Sequence, residues 1–125
     1  MHERVSWPDP DDWPSALPSP VSRDLPGAAL TWLYEAVPGD RWLHPVLRDR
    51  PWILAVLGTW RIDREVETLR ASRRYVADAW SDVLGPQVGA GLLAAQEAEA
   101  ERLRVLGRQL RAVETVLFER ADRPL

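Results

Sequence analysis

Between Pro51 and Leu84 the apolar positions recur at alternating intervals of three and four. With Trp52 as the first seam position, the seam runs Trp52, Ala55, Thr59, Ile62, Val66, Leu69, Arg73, Val76, Trp80 and Val83. Only Thr59 and Arg73 interrupt it, and no proline stands inside the span. That period predicts one long amphipathic helix over 51–84. Gly85-Pro86 ends it, because glycine suits a helix carboxyl end and proline suits the first turn of the next helix. The pattern then resumes as Leu92, Gln96, Glu99, Leu103, Leu106, Leu110, Val113 and Leu117, which predicts a second helix over about 86–120. At 1.5 Å per residue each helix is about 50 Å long.

So short a join folds the second helix back antiparallel on the first. The expected partners have numbers summing to about 171, setting Leu69 by Leu103, Ile62 by Leu110, and Arg73 by Glu99 and Gln96. The polar breaks of the two seams therefore meet, and Arg73 with Glu99 is the expected register pair, Arg73 being expected within ion-pair reach of Glu99 or of Glu97, since a lone ion pair in an apolar seam fixes alignment more than it stabilises. Near the base of this hairpin both helices are apolar on more than one side, through Ile53, Leu54, Val56, Leu57, Trp60, Val105, Ala112, Val116 and Phe118. Two short helices are the expected cover, one over 28–37 and one opened by Pro45. Toward the tip the extra apolar residues thin out, and an isolated helix pair leaves half of each helix wet. The expected architecture is thus all-α: a long antiparallel hairpin (about 51–84 and 86–120), two short helices capping its base, and a four-helix layer formed on dimerisation.

The first 26 residues carry six of the eleven prolines, which predicts an extended arm over 1–27 ahead of one helical domain over 28–125. Trp7 and Trp13 argue against a merely solvated tail, because each indole has a large apolar area to bury. In a polyproline helix Trp7, Pro10 and Trp13 share one edge, making both tryptophans candidates for binding a partner protein or the chain's own helices.

Composition narrows the function. With 125 residues, no Cys and no Lys, the chain is one domain without a thiolate metal site, a cysteine nucleophile or a Walker lysine. The net charge of −3 sits wholly on the arm, where Glu3, Asp9, Asp11, Asp12 and Asp24 face Arg4 and Arg23. Each later segment balances to zero, so no basic face offers itself to nucleic acid. No apolar run is long enough to span a membrane and the amino terminus lacks a signal-peptide pattern; the cytoplasm is the expected location.

The chemistry of the side chains points the same way. The two histidines, His2 and His44, lie outside the long helices, so a carboxylate-histidine di-metal site is not expected, nor any cofactor or catalytic residue. The acidic runs Asp63, Glu65, Glu67 and Glu97, Glu99, Glu101 read as helix lacing with arginines three or four residues away, Arg74 with Asp78 included. Gly89-Ala90-Gly91 lacks the strand and basic residues of a phosphate loop. The seven tryptophans leave one alternative, a ligand-binding or catalytic protein with a pocket near the hairpin base built from Trp32, Arg41, Trp42, His44 and Trp60. The leading expectation is a non-catalytic interaction or assembly module that pairs with itself, with another protein as a further partner through the arm.

Overall fold

A computed structural model describes residues 8–38 and 43–121, apart from the His44 side chain. The regular structure among these residues is all helical, with no strand. A 3-10 turn (Pro10–Asp12) is followed by α1 (Leu25–Ala36), α2 (His44–Leu47), α3 (Pro51–Tyr75), a π turn (Val76–Trp80) and α4 (Ser81–Ala121). The run from Pro51 to Ala121 is 71 residues of helix, bent once. The bend is Gly85, whose φ of 79° and ψ of 162° lie outside the helical region and in territory that only glycine enters without strain. Pro86 follows, where a missing N–H costs nothing.

Side chains on the two sides of Gly85 meet. Gln96 reaches Ser72, Arg111 reaches Asp63, Arg73 reaches Glu97, and Phe118 packs edge-on against Trp52 with ring centroids 5.1 Å apart. A Cβ on Gly107 would lie 3.7 Å from Ile62. The numbers in these pairs sum to 168–174, bracketing the value of 171 read from the join. The α3 and α4 stretches before and after the bend therefore run in opposite directions.

The core lies at the end away from the bend. Leu54, Ala55 and Ile62 of α3 and Leu103, Leu110, Val113, Val116 and Leu117 of α4 are buried together with Leu25, Ala29 and Leu33 of α1, and with Leu17 and Val37. Fully burying such side chains contributes about 1.5–3 kcal/mol each. Gly58 marks the closest approach, since a Cβ there would stand 3.0 Å from Val37 and 3.3 Å from Leu110. Thr59, the expected polar break in the α3 seam, is buried and donates its hydroxyl to the carbonyl of Ala55 at 3.0 Å.

Two boundaries differ from the sequence reading. α1 begins at Leu25, not at residue 28, so Pro26 and Gly27 form its first turn and the arm ends earlier than residue 27. Proline is tolerated there because first-turn N–H groups have no intrahelical acceptor. The arm is not a continuous polyproline edge either. Asp9 accepts a hydrogen bond from the Asp11 N–H at 2.9 Å and starts the 3-10 turn, which folds Trp13 inward. Trp13 is half-buried against the core and donates Nε1–H to the Pro18 carbonyl at 3.0 Å. Pro14 and Leu17 are buried, Asp12 pairs with Arg108 at 3.3 Å, and Arg120 donates to the carbonyls of Pro20 (3.0 Å) and Ser22 (2.6 Å). From residue 8 onward the arm thus straps its own helices. Trp13 is committed to this packing and is not a free docking residue, while Trp7 lies outside the described residues.

Candidate interaction surface

Burial collapses toward the bend. Between Ile62 and Gln96, Val76 and Gly89 are the buried residues, and the rest are half-buried or exposed. Among the described residues neither α1, α2 nor the arm from residue 8 onward packs on this outer part, where each helix has its inner stripe against the other. Among the large apolar side chains at the surface, Tyr75 is 62% exposed, Trp80 49%, Val83 83% and Val88 60%.

The π turn explains two of them. It accommodates one residue more than an α-helical turn, so the following face is advanced by about 100°. Val76 keeps its seam position and is buried. Trp80 and Val83, which an unbroken α-helix would set in the seam, rotate outward, and Leu84 turns inward to become half-buried. Trp80 rests instead beside Tyr75, with ring centroids 6.1 Å apart. The same fold-back numbering sets Val88 level with Val83 across the bend.

Of the two expected partners Arg73 takes Glu97, at 2.8 Å, and does so at the edge of the seam with its side chain 40% exposed. Glu99 is taken by its own helix: Arg102 Nε donates to it at 3.0 Å, which holds the Glu99 carboxyl below the ordinary range and the guanidinium above it. A long arginine reaches water from a half-buried position and has no need to lie within the seam. The buried polar contact is Gln96 to Ser72, with Nε2 donating at 2.7 Å and Oε1 left without a partner.

Of the residues expected to line a base pocket, Trp60 is 62% exposed and Trp32 is half-buried against the core. Arg41, Trp42 and the His44 side chain lie outside the described residues. Among the described residues shallow grooves occur elsewhere. One, lined by Leu69, Ser72, Glu99 and Leu103 among others, runs along the seam, and another passes Arg70, Arg73, Arg74 and Leu93 near the π turn. Among the described residues no three His, Cys, Asp or Glu side chains gather in a way that could hold a metal ion. No described helix is long and apolar enough to cross a membrane.

The outer surface carried a signal in the sequence that periodicity passes over. Residues 83–96 contain no charged side chain, in a chain that is 28% charged overall. A solvated helix end has no reason to lose its charges over four turns, whereas a covered one does. Comparison with known proteins finds no family, no curated relative and no solved structure that matches this chain.

Proposed function

We propose that this chain is a non-catalytic helical assembly module: a hairpin whose base is finished by its own short helices and arm, and whose outer half is finished by a second copy. The observation that carries this reading is the split in burial along one pair of helices, with a packed core on one side of Ile62 and almost none beyond it. An antiparallel pair alone leaves half of each helix in water, and the bare half here exposes Tyr75, Trp80, Val83 and Val88 and loses all charge over 83–96. Two outer halves laid side by side make a four-helix layer, the commonest way for such faces to be buried. The arm belongs to the base of its own copy, through Leu17, Trp13 and the Arg120 contacts.

Sedimentation equilibrium or light scattering tests the reading. The expected mass at tens of micromolar is twice 14.2 kDa. A 14.2 kDa species that persists to several hundred micromolar removes self-assembly as the function.

A further inference from the structure

Two adjacent rows run along the outer surface of the first helix at intervals of four residues. One is apolar: Ala71, Tyr75, Ala79 and Val83. Beside it stands a charged row of Arg70, Arg74, Asp78 and Asp82, two positive charges followed by two negative ones, all exposed. Residues four apart on a helix follow one ridge, and the π turn in the middle keeps both ridges in line, since the extra residue it takes up brings the average period across it close to four. Among the described residues Arg74, Asp78 and Asp82 make no ion pair, although Arg74 and Asp78 have the spacing for one.

From these rows we infer the interface itself, resting on the self-assembly reading above: two copies cross antiparallel at the π turn, apolar row on apolar row. A row that reads plus, plus, minus, minus is complementary to its own reverse. An antiparallel crossing centred near Val76 sets Asp82 of one copy opposite Arg70 of the other, and Asp78 opposite Arg74, twice over by symmetry. A parallel crossing puts the two charged rows on opposite sides of the interface, where none of these pairs forms. The area suffices as well. With about 150–250 Å² for a whole aromatic side chain, Tyr75 and Trp80 together expose on the order of 200 Å². Val83, Val88 and the half-exposed leucines beside them bring the patch to roughly 500 Å², so two copies remove about 1,000 Å² from water, the lower bound for a stable dimer.

The charges argue against the other occupants of an apolar tip. The three arginines near the patch are matched by Asp78, Asp82 and Glu97, which leaves no net attraction to anionic lipid or to nucleic acid. The π turn is the structural determinant of the interface, because it brings Trp80 and Val83 to the outside.

A charge-exchange experiment on the full chain tests the inference. The double variant Asp78→Arg/Asp82→Arg has four positive charges in the row, and Arg70→Asp/Arg74→Asp has four negative ones. All four positions are exposed, and far-UV circular dichroism checks that both variants fold. Each variant alone is expected to weaken dimerisation at least tenfold, and an equimolar mixture is expected to restore a dimer that contains one of each. Deleting Ala79 turns the π turn into plain α-helix, returns Trp80 and Val83 to the seam, and is expected to yield a stable monomer. If the wild type dimerises but both charge variants dimerise equally well, or their mixture stays monomeric, the interface lies elsewhere while the assembly reading stands. If the wild type is a monomer, both fall. A monomer that sediments with phosphatidylcholine vesicles makes a bilayer the occupant and also overturns the proposal.

Discussion

Replacing Gln96 by leucine should stabilise the protein. Gln96 is 8% exposed, its amide donates to the Ser72 hydroxyl at 2.7 Å, and its carbonyl oxygen has no partner. A buried acceptor left unpaired costs about 1–3 kcal/mol, while the single hydrogen bond returns about 1 kcal/mol. Leucine has nearly the same bulk, so neither a cavity nor overpacking opposes the exchange. Ser72 is half-buried, and its freed hydroxyl has the carbonyl one turn back in its own helix as an acceptor. The net gain is about 1–2 kcal/mol, or a rise in Tm of roughly 3–7 °C for a chain of this length. Gln96→Ala is the control, because it removes the same oxygen but leaves a void and should lose about 2 kcal/mol. Thermal denaturation followed by far-UV circular dichroism, at one fixed protein concentration because assembly shifts Tm, measures both. If Gln96→Leu melts below the wild type by more than about 2 °C, the carbonyl is satisfied in the native protein and the account of this layer is wrong. The gain in stability should come with a loss of specificity, since a polar layer penalises any slip of one helix along the other.

Three further outcomes follow from the geometry. Gly85→Ala forces a Cβ into a backbone conformation with φ of 79° and should lower stability by about 1–2 kcal/mol in chemical denaturation, although the Cβ itself would meet no atom within 4 Å. Gly58→Leu, in contrast, fails on space: with Val37 and Leu110 already at 3.0 and 3.3 Å from the position of a Cβ, about 3 kcal/mol or more should be lost, read as a fall in urea midpoint with unchanged slope. Removing residues 1–20 takes away Trp13, Pro14 and Leu17 and should lower Tm by roughly 10 °C; an unchanged Tm would show that the strap contributes nothing to the base.

The hairpin was legible in the sequence because its punctuation is unambiguous: proline and glycine stand together only at the join, and the seams on either side keep helical period. Elements that depend on context were less so. Pro26-Gly27 looks like a break in any sequence, yet a helix amino terminus accepts both residues, so α1 starts three residues sooner than its apolar run. The π turn has no residue signature, as Val76, Ala77, Asp78, Ala79 and Trp80 would suit an α-helix equally well. Unbroken helical period therefore assigns Trp80 and Val83 to the inside, whereas both are exposed, next to the charge-free run 83–96. Seam position offers Arg73 both Glu99 and Glu97, and the presence of Arg102 three residues beyond Glu99 decides between them. Trp60 was placed in a pocket because the base is apolar on several sides, and the structure covers some of those sides and not others.

The hold of Arg120 on the carbonyls of Pro20 and Ser22 has a consequence for the order in which the chain folds. The contact spans 98–100 residues, and closing a loop that long from an unfolded chain costs about 4 kcal/mol in entropy on the (3/2)RT ln n scale. Once the two long helices have zipped together from the bend, Arg120 stands level with Pro51, and the loop left to close is that of the roughly thirty residues between the arm and α3, about 1 kcal/mol cheaper. The strap is therefore the last part to dock, after the local hairpin contacts have formed. Disrupting it should leave the refolding rate nearly unchanged and appear almost entirely as faster unfolding. The amino-terminal arm thus sets how long the folded base persists, and the hairpin sets how quickly it forms.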